Sequence, residues 1–182
     1  MLGAIYGISE IALSLRKRAS NTESQLADRG SLRLIWIVIC CSLFAAYYVS
    51  YSLPGCNFGA LAAPAQILGI FLFAAGLALR WYAIIYLGRF FTVNVAIAAD
   101  HRLIDGGPYR HLRHPSYTGA LTAFLGLGLC IGSWLSIALI LVPISSVFLW
   151  RIRVEEAALL QGLGDQYRRY MSRTKRLIPG VY

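Results

Sequence analysis

Acidic residues are scarce in this chain. Eight Asp and Glu stand against 17 Lys and Arg in 182 residues, and charged residues make up only 14% while hydrophobic ones make up 58%. A soluble domain of this size needs more polar surface, so the composition excludes an ordinary water-soluble fold and points to an integral membrane protein. Cysteine is sparse too. Cys40, Cys41, Cys56 and Cys130 form no CxxC pair, so neither a disulfide framework nor a thiolate metal site is supported. No internal repeat is visible, which argues against a transporter. "GLG" at Gly126–Gly128 has no strand ahead of it and is no dinucleotide fingerprint.

Long apolar runs are present in place of polar surface. A spanning helix needs about 20 mainly apolar residues. Leu32–Leu53 supplies one run whose single charge is Arg33 at its start, and Pro64–Leu87 a second, broken only by Arg80. Pro115–Trp150 is long enough for two short spans, with a turn inside Cys130–Ser136 where Gly132 and Ser133 are the breakers. Met1–Leu15 is apolar apart from Glu10 and is followed by Arg16–Arg18. Positive charge after the apolar run argues against a cleaved signal peptide. An interfacial helix also fits, but a span is preferred, which predicts an all-α integral membrane protein with about five transmembrane helices. Gly69, Gly76, Gly119, Gly126, Gly128 and Gly132 lie in or beside the spans, where glycine permits close helix packing.

Charge fixes an orientation. Residues 16–33, 88–114 and 151–182, placed on one side, hold every Lys and Arg except Arg80, which can snorkel to that side. The opposite loop, Ser52–Pro64, holds none. The positive-inside rule then places that basic side in the cytosol. The net charge of +9 is accounted for by topology and by attraction to anionic headgroups. Nucleic-acid binding is not expected, because the basic residues flank spans and do not line a soluble face.

All three histidines fall in one segment on that side, "HRLIDGGPYRHLRHPSYTG", residues 101–119. Three readings compete. His101, His111 and His114, with Asp100 or Asp105, form a candidate metal site, although Pro115 disfavours a helical His114 and the spacing matches no familiar zinc pattern. A basic loop anchored to headgroups explains Arg102, Arg110 and Arg113 but not "DGGPY". In the third reading, Pro115 opens a helix whose N-terminal N–H groups attract a carboxylate or phosphate. Gly106 and Gly107 then allow backbone to pass close to a ligand, and His101, Tyr109, His114 and Tyr117 add ring faces and hydrogen bonds.

A second constellation supports the third reading. "RIRVEE" at Arg151–Glu156 lies where the last span leaves the membrane, and Arg151 and Glu155 share a helix face. An ordinary i,i+4 ion pair is worth a few tenths of a kcal/mol. Two adjacent acids at a membrane boundary, in a chain so poor in acids, make a binding pair credible: Glu155 for a cationic or hydroxylated ligand, Arg151 for a carboxylate.

"HRLI…GPY…RHPSYTG" followed by "RIRVEEAALL…LGDQYRRYMSRTKRLIPG" resembles the isoprenylcysteine carboxyl methyltransferase family, whose wider relatives include phospholipid methyltransferases. The resemblance covers about residues 87–182. It implies one membrane domain over residues 1–182: about three N-terminal spans in 1–86, then a methyltransferase-like region in 87–182 with two spans and a cytosolic tail. It implies S-adenosylmethionine as methyl donor, held in a cytosolic pocket formed by the 88–117 loop and the C-terminal helix and tail.

The cofactor contacts it implies are His101, Arg102, Leu103, Ile104, Tyr109, His114, Pro115, Ser116, Tyr117 and Glu155. Arg151 is implied to position the acceptor carboxylate. The acceptor implied is a prenylated cysteine or similar lipophilic molecule, reaching the site from the bilayer. A phospholipid or other lipid methyltransferase is the alternative enzyme, and a metal-handling membrane protein the alternative outside enzymes. The short chain shows no obvious retention or targeting signal, which favours a prokaryotic cytoplasmic membrane, or the endoplasmic reticulum in a eukaryote.

Overall fold

The computed structural model describes residues 2, 3, 5–7, 9, 25–88 and 103–181. Among these residues four longer helices, α1 (Gln25–Ser52), α2 (Ala62–Leu87), α3 (Pro115–Ile131) and α4 (Trp134–Leu163), are followed by a short one, α5 (Asp165–Arg173). The apolar part of α1 (Leu32–Ser52), the stretch Gly59–Leu87 and α4 are each long and apolar enough to cross a membrane. At 17 residues α3 is the short member. Phe44, Tyr51, Ile67, Phe71 and Val142 point outward from the bundle, an exterior that suits lipid and not water. The chain is an integral membrane protein.

Most of the fifth expected span, residues 1–15, lies outside the described residues. Residues 2, 3, 5–7 and 9 are helical. Tyr6 is buried, its ring centroid 4.7 Å from that of Phe124 in α3. The N-terminal segment therefore reaches the middle of the bundle.

Neighbouring helices run antiparallel. The turn between α3 and α4 forms at the breakers the sequence predicts: Gly132 has φ +83°, and its N–H donates to Gly128 O at 3.3 Å. Gly132 thus caps a helix and does not mediate the packing expected of it. Phe58, in the α1–α2 connection, donates its N–H to Gly132 O at 2.8 Å and sets its ring 4.5 Å from Trp134, tying the two turns at that end together.

Glycine sets the α2–α3 distance. Gly69 and Gly76 in α2 face Gly126 and Gly119 in α3, each pair seven residues apart. A Cβ on Gly126 would lie 2.5 Å from Gly69 O and from Phe73 N, and one on Gly119 would lie 2.6 Å from Gly76 O and from Arg80 N. Backbone meets backbone along this seam, where dispersion is the main attraction available to helices in lipid. On the other side, Ser136 Oγ in α4 donates to Ala46 O of α1 at 2.6 Å. Ile39, Ala46, Ile140, Ile144 and Phe148 belong to the same buried core.

The length of α4 positions the site. Its 30 residues extend about 45 Å at 1.5 Å per residue, more than the roughly 30 Å of bilayer hydrocarbon. Arg151 begins about 26 Å from Trp134, so the last turns of α4 carry "RIRVEE" to the level of the headgroups.

Replacing Gly126 by Leu should force the α2–α3 seam apart. Overpacking of this kind costs about 1–3 kcal/mol, read as a lower denaturation midpoint in detergent. Gly55→Ala, where an added Cβ meets nothing within 4 Å, should leave the midpoint unchanged.

Candidate functional site

The chain following α5 folds back across the start of α3. Arg113 N–H donates to Lys175 O (2.7 Å), His114 N–H to Arg176 O (3.1 Å) and Lys175 N–H to His111 O (3.2 Å). Thr118 Oγ1 donates to Leu177 O at 2.8 Å. Pro115 opens α3 as expected. The N–H groups of Tyr117 and Thr118 already donate to His114 O, both at 3.1 Å. The polar character of this helix end is therefore met largely by the chain itself, and the site's charged chemistry lies beside it, on α4.

Glu156 is the junction. Its side chain is 4% exposed, and a carboxylate at that depth requires compensating donors. Arg113 Nε donates to Oε1 at 2.8 Å, and Arg176 Nε to Oε2 at 2.9 Å. His114 Nε2 lies 3.4 Å from Oε1. Arg113, 9% exposed, also donates through Nη1 to Met171 O at 3.1 Å and Thr174 O at 2.5 Å. One buried acid thus joins α4, the approach to α3 and the C-terminal tail.

Glu155, the adjacent acid, is 24% exposed at its side chain. Tyr117 OH donates to Oε1 at 2.6 Å, and Arg151 Nε to the same oxygen at 3.2 Å. His114 Nδ1 is 3.6 Å from Oε2. His114 therefore stands between the two glutamates, buried, with one ring nitrogen toward each. The Tyr117 ring lies 5.0 Å from Phe148. The result is a partly open carboxylate beside aromatic faces and a guanidinium only 2% exposed.

The opposite wall is a turn at Gly107–Arg110 held by α5. Tyr170 OH donates to Tyr109 O at 2.7 Å and Leu112 O at 3.3 Å. Tyr109 OH donates to Ala83 O in α2 at 3.2 Å. Burial pushes the phenols of Tyr109, Tyr167 and Tyr170 above their usual pKa, so all three stay protonated at neutral pH, and the buried Tyr167 hydroxyl finds no partner among the described residues. Arg173 pairs with Asp105 across the same wall. Gly106 and Gly107 do allow a close approach, but to Tyr86: a Cβ on Gly106 would lie 2.5 Å from the Tyr86 hydroxyl.

Of the expected site residues, the structure gathers Tyr109, His114, Pro115, Ser116, Tyr117, Arg151 and Glu155 at this end of the bundle. Pro115 and Ser116 are buried in the first turn of α3, and Ser116 O accepts from Arg80. Leu103 and Ile104 are partly exposed and outside any helix. His101 and Arg102 lie outside the described residues. His111 is exposed, and among the described residues no three His, Cys, Asp or Glu side chains gather as metal ligands do.

Sequence reasoning did not find the central role of Glu156 with Arg113 and Arg176, nor the clasp of Tyr170. Signals existed for both. Two adjacent acids among many arginines imply that each acid has cationic partners, and Tyr167 and Tyr170 both point inward from an otherwise polar helix.

The family profile for isoprenylcysteine carboxyl methyltransferases matches residues 67–161. The protein-S-isoprenylcysteine O-methyltransferase of Schizosaccharomyces pombe is 35% identical over 103 residues, 56% of this chain and 44% of that protein. Protein-S-isoprenylcysteine O-methyltransferase B of Arabidopsis thaliana is 35% identical over 115 residues, 62% of this chain and 58% of that protein. The chain therefore spans about half the length of these curated relatives. Among solved structures, a eukaryotic intramembrane Ras methyltransferase, itself an isoprenylcysteine carboxyl methyltransferase, superposes with a TM-score of 0.75 at 26% identity. The match covers 99% of this chain and 64% of that one.

Glu156→Gln should remove the charge that compensates Arg113 and Arg176, lowering stability by about 3 kcal/mol. Trypsin should then cut at Arg173, Lys175 or Arg176 well before the rest of the protein is digested. Tyr170→Phe, losing a buried hydrogen bond, should cost about 1 kcal/mol and leave the tail resistant.

Proposed function

The chain belongs to the isoprenylcysteine carboxyl methyltransferase family, and we propose that it is an S-adenosylmethionine-dependent methyltransferase acting on the carboxylate of a prenylcysteine or similar lipophilic acceptor. The observation that carries this reading is the Glu155 constellation: a partly open carboxylate held by Tyr117 and Arg151, next to His114. The family profile matches residues 67–161, the segment that contains these residues.

The donor set fits the proposed cofactor. S-adenosylmethionine supplies an electrophilic methyl group on a sulfonium, and it also carries an ammonium, a carboxylate and ribose hydroxyls. A carboxylate such as Glu155 suits the ammonium or the hydroxyls. The ring faces of Tyr117 and Tyr109 suit a cationic or planar group. Leu103, Ile104, His114, Pro115 and Ser116 shape the same end of the bundle and complete the proposed contacts, with His101 and Arg102 on the adjoining segment.

The acceptor requires little acid–base chemistry. A carboxylate is already ionised at pH 7, so the chain's task is positioning and partial desolvation of oppositely charged reactants. Arg151 is the proposed holder of the acceptor carboxylate, because its planar fork matches that group. The basic end of the bundle faces the cytosol by the positive-inside rule. A lipid tail can remain in the bilayer while its head reaches the end of α4. Residues 1–86 then serve as N-terminal spans and 87–182 as the catalytic region of one membrane domain.

S-adenosylhomocysteine should stabilise the detergent-solubilised protein. At about 100 times its dissociation constant the gain is roughly 2.7 kcal/mol. Glu155→Ala should lose most of that shift while remaining folded. No shift in the folded wild type would refute the reading.

A further inference from the structure

The segment after α5 presents two faces. Thr174 and Leu177 are buried and Arg176 reaches inward to Glu156, while Lys175, Ile178 and Val181 are exposed. Val181 N–H donates to Ile178 O at 3.1 Å, closing a turn over Pro179 and Gly180. Proline at its second position and glycine at its third, here with φ +75°, are what a type II turn calls for. The turn brings two exposed branched apolar residues together at its ends.

Two helices give the depth of this segment. Leu177 O accepts from Thr118 Oγ1, and Thr118 to Ile131 is about 20 Å along α3. Tyr117, next to Thr118, packs on Phe148, which is about 21 Å along α4 from Trp134. Ile131 and Trp134 flank the turn at the far end of the bundle, where Trp134 is exposed as interfacial tryptophans are. Bilayer hydrocarbon is roughly 30 Å thick, so Leu177 is held at or inside its boundary on the site's side. An exposed apolar pair at that depth is placed for acyl chains and not for water. Cations accompany it: Lys175 and, on the outer side of α5, Arg169 are exposed, and neither makes an ion pair among the described residues.

We propose that residues 175–181 form an interfacial anchor that binds anionic lipid: Ile178 and Val181 seat in the acyl-chain boundary while Lys175 and Arg169 hold headgroup phosphates. Apolar residues at that boundary, flanked by Lys and Arg, are how interfacial segments bind anionic bilayers. Zwitterionic lipid offers the same apolar boundary without the net charge. The anchor bears on the site, because Arg176 lies within it and is one of the cations on Glu156. Lipid that holds the anchor in place also holds that clamp closed, whatever molecule the site methylates.

Hydrogen exchange of the backbone amides in residues 174–181, read by mass spectrometry on the full chain in nanodiscs, tests this without turnover. The two bilayers are phosphatidylcholine alone and phosphatidylcholine mixed with phosphatidylglycerol. Exchange should be roughly fivefold slower in the second, the effect of one basic residue near an anionic surface, and high salt should remove the difference. Lys175→Gln with Arg169→Gln should lose the lipid dependence, and Ile178→Asn with Val181→Asn should speed exchange in both bilayers. Unchanged exchange across α3 reports that a variant is folded, and the wild-type comparison decides without any variant. Equal exchange of the wild type in the two bilayers, a lipid dependence that survives Lys175→Gln with Arg169→Gln, or no acceleration in Ile178→Asn with Val181→Asn would overturn the assignment. So would protection seen only with two chains in one nanodisc, which marks a second copy as the occupant.

Discussion

A carboxylate buried at the end of a membrane helix is stable only if the chain surrounds it with cations and other polar partners, and Glu156 imposes that requirement on everything near it. Arg113 comes from the approach to α3, Arg176 from the C-terminal tail, and His114 from the α3 boundary itself. Meeting that demand draws two separate pieces of sequence onto α4. Once they converge, His114 stands between Glu156 and Glu155. Glu155, with one side partly open, is left to the Tyr117 hydroxyl and Arg151. The buried acid organises this end of the bundle, and its more exposed neighbour is the carboxylate left partly open.

The lipid-embedded half serves the same end by different physics. Helices in a bilayer gain little from apolar burial, so α2 and α3 associate through backbone contact at glycines seven residues apart. That contact fixes the depth of Arg80 relative to Ser116 and of Ala83 relative to Tyr109. The seam thus relates a membrane-embedded guanidinium to the site at the headgroup level. The length of α4 does the rest, carrying one continuous helix from the apolar core to the polar end.

Much of this was legible in the residues. The apolar run at Leu32–Leu53 became the membrane-crossing part of α1, a helix that starts earlier at Gln25, the run at Pro64–Leu87 became α2, and Gly132 with Ser133 broke the third run as their backbone preferences require. Arg151 and Glu155 fell on one face because i and i+4 always do. The folding back of Lys175–Leu177 over α3 was not legible, since it depends on backbone hydrogen bonds that side-chain identity does not encode. Nor was the partnership of Arg113 with Glu156, which are 43 positions apart. The anion role expected of the α3 N-terminus was read from local chemistry alone, and the returning tail supplies much of what that end needs.

Taken together, a family fold and a cation-clamped acid pair are the grounds on which we propose a membrane site that esterifies a lipophilic carboxylate. The chemistry of the product tests that most directly. Protein reconstituted in liposomes with methyl-labelled S-adenosylmethionine and N-acetyl-S-farnesylcysteine should yield label released as methanol by mild alkali, the behaviour of a methyl ester, and none without the acceptor. Label appearing instead in an alkali-stable N-methylated phospholipid, or no transfer by folded protein, would contradict the account.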